Sequence, residues 1–312
     1  MAATPPIFIK KMAILVAIEA TVGMLVVPVA ADAIEVSNVN LTPMEADEVV
    51  SDVIKPYFGA SEAALVAKYR KLSFEVRCAG VSPAGTVPGY ATLLRACAAS
   101  ATNTPDTSTV FLPVTDGIES VTVYAVIGGI RYKMAGARGE AKLDAQAKAV
   151  PKWQFELTGD FVPLEDVNAM PGVNYSKFLP GLPFERANTT ISVDGFAVSS
   201  SAFSLTFGNT VSRTNLTEFE GTDISNRVST GSVTFRMTTV ATKDWFGMAS
   251  SGAKVPIVFI HGQAVTNKMQ ISVPRAQLGK PSFSDLEGVQ MITIPYRCIP
   301  TDAGNDEWSI TV

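Results

Sequence analysis

Histidine is almost missing: His261 is the single one in 312 residues. A Ser–His–Asp triad would have to use it, and no site needing two histidine ligands can form. Cysteine is scarce too. Cys78, Cys97 and Cys298 are odd in number and widely spaced, with no C-x-x-C pair, so no disulfide framework is expected. They read as reduced, mostly buried thiols of a reducing compartment. Charged residues make up 17%, against roughly 25% in an average globular chain, which suggests surface hidden against other subunits. A basic excess is also absent. The 25 Lys and Arg against 29 Asp and Glu give a net charge of −4, which disfavours a tight, phosphate-neutralising nucleic-acid binder. The basic residues Arg131, Lys133, Arg138 and Lys142 are scattered, with no run interleaved with aromatics.

Catalytic motifs are lacking as well. There is no G-x-x-x-x-G-K-[ST], no G-x-G-x-x-G and no H-E-x-x-H. Ile257–Gly262 looks like the strand and His-Gly of a hydrolase oxyanion loop, but no later G-x-S-x-G elbow is present. His261 is therefore read as a turn residue. The acidic cluster Glu45, Asp47, Glu48 and Asp52 does not match EF-hand spacing and reads as a solvated or interface loop. No catalytic, cofactor-binding or metal-binding residue is assigned, and neither an enzyme nor a cofactor is expected.

A clean, long apolar run is the last absence. Lys10 and Lys11 precede Met12–Ile18 and Val29–Ala31 comes after it, which imitates a secretory signal. Glu19 interrupts the run, where a charge costs about 2.5–3.5 kcal/mol on an insertion scale. Gly23 and Pro28 break the next stretch, and about 20 apolar residues for a membrane span are not available. Residues 1–32 are expected to be an N-terminal arm packed on this chain or a neighbour.

What is present is a 47% hydrophobic share, enough for a real core, arranged in the same order twice. Asn40-Leu-Thr42 has an echo in Asn215-Leu-Thr217, each leading into an acidic, loop-like stretch. An alternating strand comes next, Lys71–Arg77 in one half and Gly231–Met237 in the other. A short helix comes after each. Tyr90, Leu93, Leu94 and Cys97 share one helical face behind Pro88, and Asp244 caps a turn or two from Trp245. Ser120–Ile127 turns at Gly128-Gly129 into Ile130–Met134, and Val255–Ile260 turns at His261-Gly262. The strand pairs 139–145 with 153–158, and 269–273 with 289–294, complete the two copies. A Pro-, Gly- and Asn-rich stretch from about Pro163 to Pro183 lies between them.

At this point the residues carry a family likeness. Leu41–Asp47, Ile54–Ala60, Phe74–Val76 with Ala79-Gly80, Pro88–Cys97, Glu119–Tyr124, and Gly136–Gly139 leading to Phe155–Gly159 resemble the tail tube (major tail) proteins of long, non-contractile-tailed bacteriophages, especially Mu-like siphophages. Ala17–Gly23 resembles the start of such proteins. The likeness is strong over the first half and reaches the second mainly through the repeat.

The resemblance implies a mainly β fold: two tandem tail-tube-type β-sandwich or barrel domains, each with a short flanking helix, plus the arm. The expected layout is an arm at 1–32, a first domain at 33–168, a linker at 169–187 and a second domain at 188–312. It also implies a structural virion protein that self-assembles into stacked rings, the conduit for genome ejection. With two domains per chain, three chains would make a homotrimer ring of pseudo-sixfold symmetry. The implied partners are the tape measure protein in the lumen, the tail terminator and distal tail or baseplate proteins at the ends, and double-stranded DNA in passage, with no membrane. Its place is the virion tail, assembled in the bacterial host cytoplasm. The competing expectation is a secreted bacterial β-sandwich, a surface or pilus-type subunit, for which Cys78 and Cys97 could supply a disulfide.

Overall fold

Alternation sets the architecture. In Lys71–Arg77 the side chains of Leu72, Phe74 and Val76 are buried, while Lys71, Ser73, Glu75 and Arg77 stay half-buried. That is a strand with one face on a core. The computed structural model, which describes residues 7–262 and 267–312, repeats this pattern along most of the chain. The first half contains β1 (Met12–Ile18), β2 (Ala33–Ile34), β3 (Ser37–Val50), β4 (Ala63–Arg77), α1 (Ala91–Ala96), β5 (Ala99–Thr104), β6 (Ser108–Pro113), β7 (Val121–Ile127), β8 (Ile130–Gln146) and β9 (Lys152–Asp166). The second contains β10 (Thr189–Val193), β11 (Phe196–Ala197), β12 (Ser200–Thr206), β13 (Asn209–Asn215), β14 (Glu220–Arg227), β15 (Thr230–Arg236), α2 (Trp245–Ser250), β16 (Lys254–His261), β17 (Met269–Leu278), β18 (Ser282–Leu286), β19 (Val289–Cys298) and β20 (Ser309–Thr311). The chain is mainly β, as expected.

One long antiparallel sheet runs β3–β4–β9–β8–β12–β15–β19–β18. Strand β8 is its pivot. Ile130–Ala137 pairs with β7, Lys142–Gln146 pairs with β12, and β9 runs along the opposite edge. Beyond β7 come β1 and β2. In the second half β10 and β16 adjoin β17, which continues through β20 to β6 and β5. The two halves are thus joined by strand pairing in two places.

The order β1, β3, β4, α1, β7, β8, β9 recurs as β10, β12, β15, α2, β16, β17 with β18, and β19, with matching neighbours. Pairing also fixes the correspondence. Leu72 lies opposite Leu157, and Val233 opposite Ile294. Leu72 therefore matches Val233 and Phe74 matches Phe235, one residue away from matching Lys71 with Gly231. The Asn-Leu-Thr echo does not fall on equivalent positions: Asn40 is inside β3, whereas Asn215 ends β13.

One large hydrophobic core spans both halves, and a smaller cluster of Ala13, Leu15, Ala33 and Tyr124 lies apart from it. Trp153 meets Phe207 edge-on at 6.0 Å, and Phe207 stacks on Trp308 at 4.2 Å. The indole of Trp308 donates to Ser229 Oγ at 3.0 Å, so its one polar atom is satisfied in the interior. The helices form where expected. Leu93 and Leu94 of α1 are fully buried, and Asp244 caps α2 by accepting from the Gly247 N–H at 2.8 Å.

Two expectations need correction. Residues 12–18 do pack on this chain, as expected of the arm, but as a strand of the sheet. They form β1 between β2 and β7, with Ala13–Ala17 buried. The apolar run is a strand covered on both faces, for which continuous hydrophobicity is the signature. Glu19 ends the strand and is only 6% exposed. Its carboxylate accepts from Ser120 Oγ at 2.6 Å, Thr122 Oγ1 at 2.8 Å, and the Gly23 and Gly136 N–H groups at 2.8 and 2.9 Å. The second correction concerns the acidic, loop-like stretch expected after Asn40-Leu-Thr42. It is mostly a hairpin, with β3 reaching Val50 and β4 starting at Ala63, because the two segments satisfy each other's backbone groups.

All three cysteines are free and buried. Burial pushes the thiols up, that of Cys298 to about 12. An aromatic-disulfide reagent at neutral pH is therefore expected to find no reactive thiol in the native protein and three after denaturation. Rapid native reaction of any one would contradict the packing described.

Candidate assembly surface

The joint between the halves shows how one sheet edge accepts another. On its core face Leu205 stands opposite Leu143 and Phe203 opposite Ala145; on its polar face Ser204 stands opposite Asp144 and Thr206 opposite Lys142. Just beyond, the chain turns at Gly208, whose φ of +74° suits glycine and where a Cβ would meet the Val228 carbonyl oxygen at 1.9 Å. Glu140 holds this turn. Its two oxygens accept the Gly208 and Asn209 N–H groups at 2.7 and 2.6 Å, and the Asn209 amide donates to the Cys97 carbonyl at 2.9 Å. Burial pushes the Glu140 carboxyl up to about 7, and the two backbone donors oppose that shift only in part.

The β13–β14 hairpin then lies across β8 and β9 of the first half. Two ionic clamps fix it. Arg138 of β8 donates to Asp223 Oδ1 at 2.6 Å and to the Thr222 carbonyl at 2.9 Å, and its other arm reaches the Ile118 carbonyl at 2.8 Å. Arg213 of β13 pairs with Asp160 of β9 and with Glu220 at 2.6 Å. A third clamp, Arg227 with Glu307 at 2.6 Å, ties the hairpin base to the C-terminal segment.

The ends of the long sheet lack such cover. Among the described residues β3 pairs only with β4, and β18 only with β19. Every residue of β18 is exposed, including Phe283 and Leu286. An unpaired edge with apolar side chains is a template for another strand. The hairpin of β3 and β4 projects further, and its tip carries Val53, Ile54, Tyr57 and Phe58, with Ile54 97% exposed. Its root is anchored by the fully buried Arg70, which donates to the carbonyls of Pro43 at 2.7 Å, Lys133 and Val162 and lies between the rings of Tyr132 and Phe161. Burial lowers its pKa to about 10, still well above neutrality.

The acidic cluster singled out in the sequence is dispersed. Glu45, Asp47 and Glu48 are spread along β3, and Asp52 lies in the hairpin tip. Among the described residues no three His, Cys, Asp or Glu come together as a metal site would require. His261 ends β16 rather than forming a turn. It is buried, lies 2.8 Å from Thr189 Oγ1, and burial lowers its pKa. Glu140, Asp160, Arg213 and Asp223 carry no signal in the sequence, and Arg138 reads there only as a scattered base, because nothing local marks a clamp whose partner is 85 residues away. No described helix is long and apolar enough to cross a membrane.

The joint yields a pH prediction. Glu140 binds its proton more tightly folded than unfolded, so its contribution is fully present below about pH 4.5 and is lost as pH rises through 7. The difference in unfolding free energy between Glu140→Gln and the parent, read from denaturant melts, is expected to shift in favour of the variant from pH 5 to 7.5, by about 2 kcal/mol, and to level off above pH 8. A difference that does not change with pH would contradict this.

Searching the curated proteins finds no match. A family model described as phage tail tube protein matches residues 10–298, nearly the whole length. With both halves inside that match, and two open sheet edges at the ends of one continuous sheet, the chain belongs to the phage tail tube proteins.

Proposed function

We propose that three copies of this tail tube protein close a ring and that stacked rings form the conduit through which the genome leaves the virion. The observation that carries this reading is the β8–β12 joint, in which one half of the chain accepts the other edge to edge while an equivalent edge at each end stays open. A head-to-tail contact of this kind closes into a ring when the rotation permits. In the ring both ends of the long sheet are paired, as in a barrel. The tandem domains are taken as 33–168 and 188–312, with 169–187 as the connection.

The polar face of the long sheet is proposed to line the channel. It carries both signs, with Glu75, Glu140, Asp144 and Glu156 among Lys71, Lys142, Lys152 and Arg236, and Lys152 bonded to Glu75 at 2.7 Å. Such a mixed lining passes DNA without the counterion-releasing grip of a basic one. The apolar hairpin tip is proposed to contact the next ring, which accounts for Ile54 and Phe58 standing in water in the single chain. The tape measure protein would occupy the lumen during assembly in the host cytoplasm, and terminator and distal tail proteins would cap the ends. A secreted surface or pilus subunit is not favoured by the family match, and the structural character of the family supports no catalytic role.

Negative-stain images of concentrated protein are expected to show annuli or hollow filaments, with three chains per ring by native mass spectrometry. Six chains per ring, or a strictly monomeric protein under every condition, would overturn the proposal. Ile54→Asp combined with Phe58→Asp is expected to leave annuli but at least about tenfold fewer tubes, the loss expected when two charges enter an apolar contact. Normal tubes from that variant would remove the hairpin tip from the stacking contact.

A further inference from the structure

The internal correspondence can be carried past the end of the chain. Matching Leu72 with Val233 along β4 and β15 fixes every other position by pairing. Leu41 is opposite Leu72 as Phe203 is opposite Val233, so Leu41 matches Phe203 and Thr42 matches Ser204. On the other side, Phe155 matches Ile292. Ala141, opposite Phe155, then matches Phe283, opposite Ile292, and Asp144 matches Leu286. Within the chain Ser204 lies opposite Asp144. The equivalent contact between copies puts Thr42 opposite Leu286.

The clamps extend in the same way. Ser51 donates its N–H to the Glu62 carbonyl at 2.9 Å, and Ser212 lies opposite Asp223. Carrying the β4–β15 match back along the chain puts Glu62 on Asp223, so their partners Ser51 and Ser212 correspond and Asp52 matches Arg213. On the sheet, Asp160 lies opposite Tyr69 and Arg297 opposite Thr230, so Arg297 matches Asp160. Lys280 stands two residues before Ser282 as Arg138 stands two before Glu140, and Ser282 and Glu140 face matching residues, Thr293 and Glu156. The intrachain clamps are Arg138 with Asp223 and Arg213 with Asp160. The positions equivalent to them across copies are Lys280 with Glu62 and Arg297 with Asp52. Both pairs are opposite in sign, although the second has exchanged its charges between sheet and hairpin. All four residues are exposed, and none is in an ion pair among the described residues.

We infer that a second copy of this chain docks its β3 edge on β18 with Thr42 opposite Leu286, and that its β3–β4 hairpin lies over β19 with Asp52 on Arg297 and Glu62 on Lys280. The inference rests on the ring reading and specifies its contact. A one-residue slip would turn Leu41 and its neighbours to the wrong face, and charge complementarity at two independent points selects one register.

The experiment uses the full chain carrying Thr42→Cys and Leu286→Cys, oxidised and run on a non-reducing gel. A covalent ladder ending at the ring species is expected, whereas Thr42→Cys with Ser284→Cys, two residues out of register, gives none. Mixing the two single variants, Thr42→Cys and Leu286→Cys, is expected to give dimers and nothing larger, which shows that the link is between chains. Separately, Arg297→Glu is expected to reduce the assembled fraction about tenfold, the effect of juxtaposing like charges, and adding Asp52→Arg restores it. Assembly of the parent with no ladder from Thr42→Cys/Leu286→Cys, or with a ladder only from the out-of-register pair, would overturn this contact and leave the ring reading standing. An unaffected Arg297→Glu variant would do the same for the clamp. Failure of the parent protein to assemble at all would overturn both.

Discussion

A β-strand has two hydrogen-bonding edges, and the structure depends on how β8 uses one of its own. Over its first part it serves β7, and over its last part it serves β12, about 60 residues further along the chain. That change of partner turns two sandwiches into one sheet. Without it β12 would keep only β15 as a partner, and the backbone groups of Lys142–Gln146 not used by β9 would face water or another molecule.

The interior is organised to support this crossing. The stack of Trp153, Phe207 and Trp308 contributes side chains from both halves and from the C-terminal segment. Two charged groups are buried near this crossing's flanking strands, and each is satisfied. Glu19 gathers four donors beside the bulge at Gly136, and Arg70 reaches three carbonyls at the hairpin root. Satisfied buried groups of this kind define one geometry, because any shift strands a charge.

Elements with a local signature are legible in the sequence. Gly128-Gly129, both at positive φ, marks the turn between β7 and β8, and Asp244 caps α2. The alternation of Lys71–Arg77 places β4. Other elements are hidden for physical reasons. The interruption at Gly136 reads as the end of a strand, but it is a bulge within a continuous β8. Strands β5, β13 and β14 are rich in Thr, Ser and Asn and have little apolar content, so they read as loop until a partner is seen. The β1 segment is apolar throughout, which a buried strand shares with a docking arm. The joint itself leaves no mark, since register between distant strands is written only in which residues end up opposite one another.

In the ring proposed above, carrying two modules on one polypeptide would change how a six-module annulus comes together. Half of its seams would close at synthesis, at the high effective concentration that a short tether provides, and would never have to find each other by diffusion. The connection runs only from Val167 to Asn188 and is itself bonded to Gly129, Ala30 and Ala149, so those seams also cannot reopen and swap partners. The remaining seams alone would be left to dilution and ionic strength, which would give a growing tail one type of reversible bond to control.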